Sequence, residues 1–119
     1  MRESIISEKS YKFASRIIKL ADYLVERRAY VLADQVLRSG TGIGSNVVEG
    51  SVAVSRKEFI SKNAIAHKEA RETKYWLRLL RENNKIELKL ADSLLEECDE
   101  LCKILSSIIK STRENNESE

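Results

Sequence analysis

Proline is absent from this chain and glycine occurs four times in 119 residues. Sheet folds are thereby left short of turn residues, and helices are what the composition favours. One histidine and two cysteines are too few for the usual zinc sets: a centre on His67 would need other ligand types, and Cys98 with Cys102 supplies at most two thiolates. No metal or cofactor is expected. A cysteine nucleophile wants an activating base, and nothing in the sequence sets the single imidazole beside either thiol. No apolar run reaches the roughly 18–20 residues that cross a bilayer, and the start, Met1-Arg2-Glu3-Ser4, is polar rather than leader-like. A cytoplasmic protein without a membrane span is expected. Cys98 and Cys102, four apart on one predicted helix, are poorly placed to bond each other and suit a reducing compartment.

What is present is helical. Hydrophobic residues at 42% and charged residues at 34% suffice for one core and a solvated surface, and the length fits one domain of roughly 100–150 residues. The net charge of +2 conceals an asymmetry. Residues 1–28 carry seven Lys or Arg against four acids, residues 55–85 nine against four, and residues 86–119 four against nine. One side of the molecule is expected to be basic and another acidic.

Helical periodicity divides the chain into an antiparallel up-down four-helix bundle with helices near 4–28, 31–53, 55–84 and 90–112. In the first, Ile6, Phe13, Ile17, Leu20 and Leu24 recur at helical steps, with Ile18 and Val25 widening the stripe beyond a two-helix seam. The second is ambiguous because of Gly40, Gly42 and Gly44. Val36, Gly40, Ile43 or Gly44, and Val47 nevertheless hold helical spacing. At about 1 kcal/mol per glycine, that helix needs close backbone packing as an offset. The glycines do not form a phosphate loop, since neither Gly-Lys-Ser/Thr nor a preceding strand is present. Ser55-Arg56-Lys57-Glu58 has capping-box form, with Val54 and Phe59 as a hydrophobic staple. Asn83 and Asn84 suit a left-handed helix end. Ile86 to Leu90 reads as a packed connector, and Leu94, Cys98, Leu101, Leu105 and Ile108 form a bundle stripe. Residues 113–119 read as a flexible acidic tail.

Two basic lines stand out as candidate nucleic-acid contacts. Lys9, Lys12, Arg16 and Lys19 follow one face of the first helix, and Arg71, Lys74, Arg78, Arg81 and Lys85 one face of the third. Such lines suit tracking of a phosphate backbone, and symmetric repetition would extend them. The competing reading is an ordinary solvated face. Carboxylates give no catalytic set: Glu49 in an apolar helix, and Glu69 with Glu72, fit helix or subunit salt bridges better than acid–base work. An enzyme is not expected. Tyr75-Trp76-Leu77 followed by Leu79 and Leu80 puts apolar groups on several sides of the third helix, so self-association through it and the glycine-bearing helix, Gly44 included, is expected.

Leu37-Arg38-Ser39-Gly40-Thr41, Ile43-Gly44-Ser45-Asn46-Val47-Val48-Glu49, Ser55 with Phe59 and Ile60, and Lys68-Glu69-Ala70 through Glu72-Thr73 to Tyr75-Trp76-Leu77 together resemble the four-helix bundle family first named for reading frames in intervening sequences of 23S rRNA genes. The resemblance covers Ser4 to about Lys110, with Gly50 where alanine is usual. It implies an up-down bundle and a homopentameric barrel. It also implies kinship with the accessory variability proteins of diversity-generating retroelements, basic barrels suited to nucleic acid and a reverse-transcriptase partner. Ser39, Gly40, Thr41, Asn46, Glu49, Glu69 and Trp76 match the motif and are expected at helix and subunit contacts. The function expected is non-enzymatic association with structured RNA; the alternative is a scaffold for a protein partner.

Overall fold

The computed structural model describes the backbone of residues 2–118 and the side chains of residues 5–115. Within them the order is α1 (Arg2–Glu26), α2 (Tyr30–Ser51), α3 (Arg56–Glu82) and α4 (Leu88–Ser118), with no strand among the described residues. The links are too short for anything but reversal, so consecutive helices lie antiparallel. Extensive seams join α1 to α2, α2 to α3 and α3 to α4, and a thinner α1–α4 seam closes the bundle. The result is a rod of 52 × 21 × 19 Å.

One apolar stripe from each helix meets on the axis: Phe13, Ile17 and Leu24 of α1, Val36 and Ile43 of α2, Leu77 and Leu80 of α3, Leu94, Leu101 and Leu105 of α4. Polar groups inside it are satisfied. Ser39 and Thr73 bridge α2 to α3 through their hydroxyls at 2.9 Å, and Thr73 also donates to the Glu69 carbonyl at 2.8 Å. No buried side-chain nitrogen or oxygen among the described residues lacks a partner.

The helix ends have local causes. Ser55 caps α3 by accepting from the Glu58 amide at 3.0 Å. Glu58 reaches back one residue further than expected, to the Val54 amide at 2.9 Å. The Val54 side chain is 95% exposed, so the expected staple onto Phe59 does not form. Asn84 takes the left-handed conformation (φ 55) after α3, and the Lys85 amide closes onto the Leu80 carbonyl at 2.9 Å. After α1 the same motif falls on Arg28 (φ 62), with the Ala29 amide on the Leu24 carbonyl at 2.9 Å. A side chain in that conformation costs roughly 1–2 kcal/mol, which glycine avoids. Arg28→Gly is therefore expected to raise the urea midpoint, by up to about 1 kcal/mol in stability.

α4 departs most from the periodicity reading. It begins at Leu88 inside the expected connector and continues through Ser118 rather than stopping near residue 112. With no glycine after Gly50 and no proline, no breaker residue ends it. Of the expected tail, Glu119 and the side chains beyond residue 115 lie outside the described residues.

Candidate nucleic-acid interface

The two predicted basic lines border α4, and α4 answers both with acids. From α1, Lys9 binds Glu100 at 3.0 Å, and Arg16 binds Glu97 together with the Ser93 hydroxyl at 3.1 Å. From α3, Lys74 binds Asp99 at 2.8 Å and Arg81 binds Asp92 at 2.7 Å. Hydrogen bonding and charge from those aspartates raise the pKa of Lys74 and of Arg81. Lys12 and Arg78 pair within their own helices, with Glu8 at 2.8 Å and Glu82 at 3.8 Å. Lys19, Arg71 and Lys85 make no ion pair among the described residues. The lines are thus interleaved ionic seams, and pairs this exposed add little stability.

Charge is nonetheless distributed unevenly around α4. On one side Glu96, Glu97, Asp99 and Glu100, with Lys103 as the one cation, line an acidic cavity of about 490 Å³. On the α3 side two cavities, about 410 and 470 Å³, meet at His67. Their walls carry Arg71, Lys74 and Arg78 from α3 and Lys110 and Arg113 from α4, against Asp99 and Glu114. Burial, reinforced by Arg71, lowers the His67 pKa, so the imidazole is neutral near pH 7. Tyr75 lines the same groove and is 57% exposed.

The positions expected at helix and subunit contacts mostly serve the α2 seams. Gly40 lies against Ile17 and Gly44 against Ser10, both of α1, while Gly42 lies against Glu69 of α3. Thr41 and Asn46 bond back within α2, to the Leu37 carbonyl at 2.7 Å and the Gly42 carbonyl at 2.8 Å. Arg38 ties α2 to Glu72 and, at 3.5 Å, to Glu69. Glu72 accepts from the Trp76 indole at 3.1 Å, and Trp76 meets Tyr75 edge to face with centroids 5.1 Å apart. Glu49 stands on the surface 3.8 Å from Lys62. Glu49, Glu69 and His67 therefore face different neighbours and do not form one site.

Cys98 is buried and its thiol donates to the Ala70 carbonyl at 3.1 Å; hydrogen bonding with Cys102 and burial push its pKa up. Among the described residues no three His, Cys, Asp or Glu side chains are grouped to hold a metal ion, and no helix is long and apolar enough to cross a membrane.

A groove of about 820 Å³ on the outer α1–α2 face is walled by Ser10, Tyr11, Ala14 and Val48 together with three of the candidates, Lys12, Thr41 and Gly44. Tyr11, Ile18 and Val25 stand exposed along α1 at steps of seven, with Val48 exposed on α2 and Val52 just past its end. The signal was present in the sequence: Ile18 and Val25 gave the α1 stripe its excess width, and Tyr11 extends the same heptad.

Among curated proteins none matches this chain. A crystal structure of a protein with unknown function from the S23 ribosomal protein family, from Bacteroides thetaiotaomicron, superimposes with a TM-score of 0.89 at 43% identity, covering 92% of this chain and 99% of that one. The profile of the 23S rRNA-intervening sequence protein family matches residues 2–107. With the four antiparallel helices already described, that match over most of its length shows that the chain belongs to the 23S rRNA-intervening sequence protein family.

Proposed function

We propose that this chain is a non-enzymatic, self-associating protein of the cytoplasm that holds structured RNA through the α3–α4 face. The observation that carries the reading is the charge of that groove, where five cations line the walls against two carboxylates. Arg71 makes no ion pair among the described residues, although Lys74 is shared with Asp99 and Arg78 with Glu82; on α1, Lys9 and Arg16 are taken up by Glu100 and Glu97. Phosphates gain most where cations outnumber acids. The names of the family and of its structural neighbour, an rRNA intervening sequence and a ribosomal protein family, accord with an RNA ligand.

Assembly is assigned to the outer α1–α2 face. Apolar side chains at steps of seven suit a helix–helix seam, and the groove that begins beside Tyr11 and Val48 is filled most simply by the same stripe of a second copy. Five copies in a ring is the arrangement the family resemblance implies. A ring multiplies the α3–α4 groove by its subunit number.

The competing reading, a scaffold for a protein partner, has the acidic cavity of α4 in its favour. Titrating a structured RNA across a salt series, with light scattering on the same sample, separates the two. Binding by an oligomer, weakening steeply with salt and lost in Arg71→Glu/Arg78→Glu while the oligomer persists, is the expected result. No binding at low salt would leave the scaffold.

A further inference from the structure

We propose that the α3–α4 groove takes an unpaired stretch of RNA, with phosphates on Arg71, Lys74 and Arg78 and a base stacked on Tyr75. The inference rests on the RNA reading above and adds which part of an RNA is held and by what.

Three observations converge. First, the two cavities form one trough: they meet at His67 and run from Ala64 to Arg78 on α3, about 21 Å at the helical rise. A trough of that length accepts several nucleotides of extended strand. Second, Arg71, Lys74 and Arg78 are spaced by three and four residues, which places neighbours about 5–6 Å apart at their Cβ atoms along one edge. Arg71 makes no ion pair among the described residues, and a phosphate would take Lys74 from Asp99 and Arg78 from Glu82, both solvent-exposed pairs. Lys110 and Arg113 of α4 extend the positive wall.

Third, the aromatic in the trough is both exposed and braced. Tyr75 is 57% exposed, yet Trp76 meets it edge to face. Trp76 in turn is tied through its indole to Glu72, and Glu72 is held by Arg38 from α2. A large ring left in water among cations, yet positioned by a chain of contacts into the bundle, is the platform that unpaired bases use. A base on a phenol ring gains stacking without sequence preference, and the adjoining cations supply affinity that falls with salt.

The test uses the whole protein, with a short oligouridine and an RNA duplex of equal length as probes. Trp76 is the sole tryptophan and touches Tyr75, so its fluorescence reports a base arriving there. Oligouridine is expected to quench it and to bind more tightly than the duplex. Tyr75→Ala is expected to weaken oligouridine about 5- to 150-fold while Tyr75→Phe, which keeps the ring, stays near the parent. Arg71→Ala and Arg78→Ala should each lower the salt slope by about 0.7, and Lys19→Ala on α1 should change neither. All four positions are solvent-exposed, and unchanged melting curves would establish that the variants fold.

If structured RNA binds with the expected salt dependence but Tyr75→Ala leaves it untouched, the function proposed above stands and the stacking groove is overturned. If neither probe binds at low salt, both fall. If Tyr75→Ala instead breaks the oligomer and no strand binds, the groove belongs to a second copy of the chain and the inference is wrong.

Discussion

Phe13→Ala is expected to lower the unfolding free energy by about 3–5 kcal/mol, as truncation of a fully enclosed phenyl ring does, against a total of about 5–15 kcal/mol for a domain. Phe13 is 1% exposed in the middle of α1, on a stripe that belongs to the one buried core cluster of the bundle. The informative control lies two positions away. Tyr11 is turned about 200° around the same helix and is 75% exposed, so Tyr11→Ala should change stability of the monomer by no more than about 0.5 kcal/mol. Its cost should appear as dissociation on dilution, since Tyr11 borders the proposed assembly groove. Urea unfolding of both variants, with scattering at each protein concentration, reads the two effects apart. Equal losses of stability would mean that α1 presents a different face to the core.

Gly40→Ala and Gly44→Ala are expected to act with opposite sign. Each gains up to about 1 kcal/mol of intrinsic helix propensity, so the outcome depends on what a new methyl meets. At Gly40 it meets Ile17 Cγ2 at 2.7 Å, Cγ1 at 2.9 Å and Cβ at 3.2 Å. Rotating a β-branched side chain does not clear its own Cβ, so α1 and α2 must separate. Overpacking of this kind costs about 1–3 kcal/mol or more and outweighs the propensity gain. At Gly44 the nearest atom is Ser10 Oγ at 3.4 Å, an ordinary contact, so the gain survives. Thermal midpoints should fall for the first and rise for the second; a rise for both would show that the α1–α2 spacing is looser than described.

The same pair of glycines shows how far the sequence could be read. That α2 is helical through Gly40, Gly42 and Gly44 followed from the steps of Val36, Ile43 and Val47, and the need for close packing followed from the glycine cost. Which neighbour supplies it did not follow. The answer, α1 at Gly40 and Gly44 and α3 at Gly42, depends on the rotation of α2 between two partners, which periodicity leaves open. The basic lines had the same difficulty. Lys9 with Arg16, and Lys74 with Arg81, were visible as stripes, but that Glu100, Glu97, Asp99 and Asp92 close on them depends on how α4 is turned. Cap chemistry was legible at Ser55, where the bond spans three residues, and misleading at Val54, whose amide takes the Glu58 carboxylate expected at Ser55 and whose side chain stays in solvent. Ile18 and Val25 read as width of a core stripe, and Tyr11 did not stand out, because nothing in one sequence separates a second neighbour within the chain from a neighbour in another copy.

The order of the seams also sets how the bundle forms and comes apart. Each extensive seam joins helices adjacent in sequence, so the chain can assemble from local contacts at the fast end of folding rates. The α1–α4 closure is the one long-range step, and Lys9–Glu100 and Arg16–Glu97 hold it with charge. Contacts made after the rate-limiting step leave the speed of assembly alone and lengthen the lifetime of the assembled state. In this bundle the closing pairs stand in water, where salt screens them, so ionic strength trims the lifetime of the closed α1–α4 seam only slightly. The apolar stripes set both how quickly the bundle forms and how long it lasts.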